Sequence, residues 1–132
     1  LRQHPNIQMW EASTQLLSLF KAWKQGGALG LVCDHGYGLQ KTMFGYDINL
    51  PIGAFRMASR SRSGVYFLWA ERQGQDYFIH SKLLVSANEN HDYNVIADRY
   101  VAALSEAIKA SPEQYYWRVD PWRLYQSLLR GA

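Results

Sequence analysis

The sequence predicts an α/β fold, a mixed sheet with flanking helices in the order α-β-α-β-β-α-α, and three observations carry that prediction. Apolar residues recur at helical spacing around 16–23 and again around 96–108. Two β-branched and aromatic runs, 64–70 and 77–85, flank a short polar connector that contains a glycine. A continuous apolar run, 28–33, sits between glycines and Asp34 and reads as a strand buried on both faces. With 132 residues, 48% of them hydrophobic and 19% charged, the chain is long enough for one domain and too apolar for disorder. A single domain over 1–132 is expected.

Each element has its own warrant. Residues 1–11 carry Pro5 and no period, and read as a loop or a broken strand. Leu16, Leu19, Phe20 and Trp23 fall on one helical face, with Ser13 or Thr14 as N-cap and Gly26-Gly27 as the stop. The run 28–33 follows as the central strand. Residues 34–51 hold three glycines and no clear period, and read as a long loop leaving the end of that strand, where α/β folds place ligands. Pro51 at N1 opens a short helix through Ile52, Phe55 and Ala58 or Ser59 that ends near Ser61. The runs on either side of residues 71–76 form an antiparallel hairpin. After a polar loop over 88–92, Ile96, Tyr100, Val101, Leu104, Ala107 and Ile108 trace a buried stripe, with Asp98, Arg99, Glu106 and Lys109 on the wet side. Ser111-Pro112-Glu113 restarts the chain in a helical turn, and Asp120-Pro121 opens a last helix through Leu124 and Leu128.

Composition narrows the chemistry. Fourteen Lys and Arg against eleven Asp and Glu give +3, with a sequence pI of about 9.1. That is a small charge for a nucleic-acid binder. Cys33 is the sole cysteine, so it forms no internal disulfide and supplies no zinc spacing. His4, His35, His80 and His91 show no metal-ligand spacing either, and no metal is expected. No run approaches the ~20 apolar residues that span a bilayer. The chain begins with Leu1 rather than Met, which reads as a piece of a longer protein. Aromatic residues make up 14%, including five Trp and nine Tyr, and serve either a core with a wet rim or a stacking platform.

Few residues point to a site. Cys33-Asp34-His35 places a thiol, a carboxylate and an imidazole in succession, but neighbours on an extended strand diverge, so Cys33 is expected to be a small buried hydrophobe. Asp34, at the exit of the apolar run, either serves a site or caps the following turn. Arg56 and Arg60 share a helix face, with Arg62 just beyond its end; the three either grip an anion or form a solvated face. His80 reads as a wet-face or satisfied residue, and His91 as a turn residue. No GxGxxG, GxxxxGK[ST] or GxSxG string occurs.

The string Ser111-Pro112-Glu113-Gln114-Tyr115-Tyr116-Trp117 resembles the Pro-Glu-Gln-aromatic-x-Trp signature near the end of the bacterial lipid A biosynthesis acyltransferases, within the lysophospholipid acyltransferase superfamily. Residues 100–108 resemble the helix before that signature. Residues 17–34 resemble the family's helix, glycine turn and strand ending in Asp. Phe44-Gly45 with 51–58, and then 65–79, resemble its Phe-Gly, helix and hairpin. The resemblance implies an incomplete C-terminal part of a larger α/β acyltransferase fold. It implies transfer of a fatty acyl group from acyl carrier protein or coenzyme A to a glycolipid hydroxyl, without a cofactor, at the cytoplasmic face of the bacterial inner membrane. It raises Asp34 to a catalytic candidate and makes Arg56, Arg60 and Arg62 candidates for substrate binding. The family's base is a His with an acid five positions on. Here Met9, Gln40, Val85 and Ile96 stand five residues after the four histidines, so the piece is expected to be soluble and inactive alone. After the Trp the family continues with His and basic residues, whereas this chain has Arg118-Val119-Asp120-Pro121.

Two expectations separate an acyltransferase piece from a non-catalytic module that holds lipid, nucleic acid or a protein. Burial of Tyr66, Trp69, Tyr77 and Phe78 under helices marks the first, and their exposure the second. A truncated sheet also leaves an edge strand through which the chain pairs with another copy.

Overall fold

The structure is a computed structural model that describes residues 5–10, 15–34, 36–89 and 91–115. It divides into two compact units, Leu1–Leu31 and Val32–Ala132. The expected caps at Ser13 and Thr14 and the expected last helix through Leu124 and Leu128 lie outside the described residues.

In the first unit, α1 spans Leu16–Lys24. Leu19 is buried, and Phe20 and Trp23 are half-buried with ring centroids 6.4 Å apart, as the helical spacing requires. Gly26, at φ 99°, follows Gln25 and ends the helix in a conformation that a Cβ would strain.

The α/β class holds, but one strand is misplaced by the sequence pattern. No strand forms over 28–33; Val32 is 73% exposed there. The strand content instead lies in residues 34–51, expected as a loop. There β1 (Gly38–Met43) and β2 (Tyr46–Pro51) form an antiparallel hairpin in which Leu39 faces Leu50 and Lys41 faces Ile48. Its two-residue turn, Phe44-Gly45, has φ of 54° and 81°, the double positive φ that matches strand twist. Next comes α2 (Ile52–Ser61), with Pro51 as N-cap rather than N1. Strands β3 (Val65–Gln73) and β4 (Asp76–Val85) form the expected second hairpin around Gly74. Each hairpin is a sheet of its own, β1 with β2 and β3 with β4. Gly30 within the run 28–33 adds an entropic cost to extension.

The core is organised by α3 (Tyr93–Ala110), whose Ile96, Tyr100, Val101, Leu104 and Ile108 are buried as the stripe predicts, with Ala107 half-buried and Ala97 buried beside them. Against them pack Leu39, Met43, Ile48 and Leu50 from the first hairpin, Phe55 from α2, and Phe67, Leu84 and Val85 from the second. Tyr100 is the hub: Phe55 and Phe67 both meet its ring edge-on at 5.5 Å. Asp92 caps α3 by accepting the Asn94 N–H at 2.8 Å. The wet side of α3 also grips the hairpins. Asp98 accepts from Lys41 Nζ at 2.7 Å, Glu106 pairs with Lys82, and Lys109 lies 5.7 Å over the Phe44 ring.

The aromatic expectation divides. Trp69 is half-buried, but Tyr66, Tyr77 and Phe78 are exposed. The reason is geometric: α3 covers one face of β3–β4, and side chains alternate across a strand, so Tyr66 and Tyr77 point away from it. Phe78 shares the covered face but sits near the turn end.

Candidate functional site

Asp34 lies on a bend rather than at the end of a strand. Two residues on, Gly36 presses on the start of α2, where a Cβ would come within 2.6 Å of Pro51 N. Only glycine permits that approach. The Ile52 N–H then donates to Tyr37 O at 3.1 Å, so the segment carrying Cys33 and Asp34 is stitched to α2. Both residues stand near Tyr100. Burial pushes the Tyr100 phenol well above its ordinary value of 10, and the neighbouring Cys33, Asp34 and Tyr115 add to the shift. Burial, then the Asp34 charge, pushes the Cys33 thiol up to about 11. At neutral pH both groups are protonated, and Cys33, expected as a buried hydrophobe, is half-buried and packed against the core. His35 and His4 lie outside the described residues.

The three arginines gather elsewhere. Arg56 and Arg60 are exposed on α2, and the Arg56 guanidinium lies 5.4 Å over the Tyr93 ring at the start of α3. Arg62 takes the left-handed C-cap of α2, at φ 55°, and its carbonyl accepts the Asn88 N–H at 2.8 Å. Ser59 Oγ donates to His91 O at 2.7 Å. Arg62 and Ser59 thus meet the stretch after β4 at Asn88 and His91, and His91, expected as a turn residue, lies in an irregular segment just before α3. Tyr93, under the Arg56 guanidinium, and Tyr100, near Asp34, are seven residues apart on α3, about 10 Å along the helix axis.

A groove of about 310 Å³ opens at the far end of α3, between its last turns and the covered face of β3–β4. Its walls are Phe67, Trp69, Leu104 and Ile108, and its polar end is Glu71, His80, Ser111 and Gln114. His80 Nε2 lies 2.8 Å from Glu71 Oε2, and the imidazole stacks on Trp69 at 4.9 Å. Ser111 Oγ donates to Glu71 Oε1 at 3.4 Å. The His80 hydrogen bond, then that of Gln73, holds the Glu71 carboxyl below its ordinary value. His80 is thus a satisfied residue, its imidazole oriented by a carboxylate as a proton carrier must be. Sequence reading missed this pair. Once the Gly74 turn fixes the register, Glu71 and His80 become diagonal neighbours on one face, so the signal lay in the hairpin.

The 3₁₀ turn Pro112–Gln114 closes the groove. Gln114 Oε1 accepts the Arg72 N–H at 2.7 Å and its Nε2 donates to Arg72 O at 3.1 Å. The amide side chain thereby pairs with β3 as another strand would. The segment that carries the Pro-Glu-Gln string is fastened by its Gln to the tip of the second hairpin.

Residues 1–123 match the family model for the bacterial lipid A biosynthesis acyltransferases. The chain belongs to that family. Neither a curated protein nor a solved structure matches it. As an acyltransferase of the lipid A type, it belongs to a class that joins an acyl donor to a glycolipid acceptor. Among the described residues no helix is long and apolar enough to cross a membrane, and no cluster of three His, Cys, Asp or Glu could hold a metal ion.

Proposed function

We propose that this acyltransferase chain serves transfer of a fatty acyl group from an acyl carrier protein or coenzyme A thioester to a glycolipid hydroxyl, at the cytoplasmic face of the bacterial inner membrane. The observation that carries the reading is the family match over 1–123. The acceptor O–H attacks the thioester carbonyl, its proton passes to an imidazole, the C–S bond breaks, and the thiolate leaves as the ester forms. None of the 132 residues forms a His with an acid five positions on, so that base comes from outside them. Asp34 contributes a carboxylate beside Tyr100, and Arg56, Arg60 and Arg62 offer forked hydrogen bonds to a phosphate of the donor or acceptor.

The test is acyl transfer from a labelled thioester by the intact gene product, wild type and Asp34→Ala, beside the 132-residue chain alone. A loss of about a hundredfold on Asp34→Ala and no turnover by the short chain are expected. A fully active Asp34→Ala protein removes Asp34 from the site, and turnover by the short chain removes the external base.

One observation favours a second reading, a non-catalytic binding module: Tyr66, Tyr77 and Phe78 are exposed. Trp69, however, is stacked on both Phe67, at 5.2 Å, and His80, which leaves it poorly placed to take a base. Binding of single-stranded nucleic acid that weakens steeply with salt would favour the module.

A further inference from the structure

The two hairpins share α3 but differ on the faces they turn away from it. On β1–β2 the outer face carries Gln40, Thr42, Asp47 and Asn49, and Asp47 accepts from Gln40 at 3.0 Å and Thr42 at 3.2 Å. That is a surface built for water. On β3–β4 the outer positions are Tyr66, Leu68, Ala70 and Arg72, opposite Leu83, Ser81, Ile79 and Tyr77. Tyr66 is 60% exposed, Leu68 63%, Tyr77 69% and Ile79 70%. The apolar part amounts to on the order of 600 Å², at the upper end of the largest patch on an ordinary monomer.

We propose that this outer face of β3–β4 is a self-association surface, and that a second copy of the chain covers it, face to face. Three features select that occupant. The face holds one cation, Arg72, and no acid, so two copies related by a twofold axis with their hairpins antiparallel place the two Arg72 at opposite ends, without like charges in contact. Pairing the two patches buries about 1,200 Å², the lower limit for a specific complex, so the dimer is weak and concentration-dependent. Tyr66 and Tyr77 stand at the two ends of the patch, the residue type that anchors such interfaces, around an aliphatic centre that lets two sheets pack about 10 Å apart. An anionic bilayer is the poorer fit, because a single arginine contributes only about 1 kcal/mol of attraction to it.

The test is sedimentation equilibrium of the 132-residue chain from about 1 to 200 μM, a range set by the weak affinity that this area implies. The mass is expected to rise from 15.2 kDa toward twice that value. Leu68→Lys and, as a second variant that removes bulk without adding charge, Tyr77→Ala should each weaken association at least tenfold while the far-ultraviolet circular dichroism is unchanged. Thr42→Lys, on the outer face of β1–β2, should associate like wild type. A chain that stays monomeric throughout overturns the proposal. So does a dimer indifferent to Leu68→Lys and Tyr77→Ala, or a monomer that instead co-sediments with phosphatidylglycerol vesicles.

Discussion

Replacing Gln114 by Ala removes two hydrogen bonds that its amide makes to one peptide group, the N–H and C=O of Arg72. Each is worth about 0.5–1.5 kcal/mol net, and at an exposed site the two together come to about 1–2 kcal/mol. For a unit of this size that lowers the melting temperature by about 5–10 °C. Stability alone would not single out the fork, so the sharper assay is amide hydrogen exchange at Arg72. Its N–H is protected only while Gln114 accepts it, because Arg72 lies next to the hairpin turn and its partner strand is on the other side. Gln114→Ala should lose that protection. Gln114→Glu should keep part of it, since a carboxylate still accepts the N–H but has no donor for the carbonyl. Gln114→Asn is a methylene too short and should behave like Ala. If the Arg72 amide exchanges at the same rate in wild type and Gln114→Ala, the fork is not what fastens the Pro-Glu-Gln turn to the hairpin.

Two titratable groups give further expectations. The Cys33 thiol, pushed from 9.0 to about 11, carries about a hundredfold less thiolate at pH 8, so iodoacetamide should alkylate it about a hundredfold more slowly than a free thiol until denaturant is added. Alkylation at the free-thiol rate without denaturant would show that the thiol is not buried. Glu71 has a folded pKa below its unfolded value of 4.5, so its contribution is complete above about pH 4.5 and is lost as pH falls through the lower folded value. Urea denaturation between pH 5 and 3 should therefore show a shallower acid decline in Glu71→Gln than in wild type. Some decline should remain, because the Glu89 carboxyl is likewise held low, chiefly by the Ser86 N–H. Identical slopes would mean that the His80 pair contributes nothing to folding.

The elements that were legible in the sequence are those in which period and partner agree. The α3 stripe repeats at helical spacing and the β3–β4 runs are β-branched and aromatic around a short polar turn, and the hairpin's partners lie close by in the chain, so local pattern and tertiary contact favour one answer. The failures share a cause. In β1 the inward positions are Leu39, Lys41 and Met43, and the lysine hides the period because its ion pair with Asp98 is made 57 residues away. The run 28–33 fails in the opposite sense. Its apolar content is real, but burial on both faces requires neighbouring strands, and a sequence window over 28–33 cannot show whether any strand lies beside it. Site residues follow the same rule. The helical spacing of Arg56 and Arg60 survived because it is local, whereas Glu71 and His80 meet only through the hairpin register.

The placement of these groups along α3 constrains what the proposed chemistry can accept. The helix has 18 residues, about 27 Å, with Arg56 over its first residue, Asp34 near Tyr100 and the Glu71–His80 groove along its last turns. Arg56 lies over Tyr93 and Asp34 is near Tyr100, about 10 Å further along the axis, so the two side chains mark different turns of α3. A substrate that uses both must therefore carry its anionic group on an arm, several bonds from the reacting centre. Charge on the arginines then acts on binding and not on the developing oxyanion, which needs donors within about 3 Å. In the acyl transfer proposed, the arginines therefore serve to grip a phosphate.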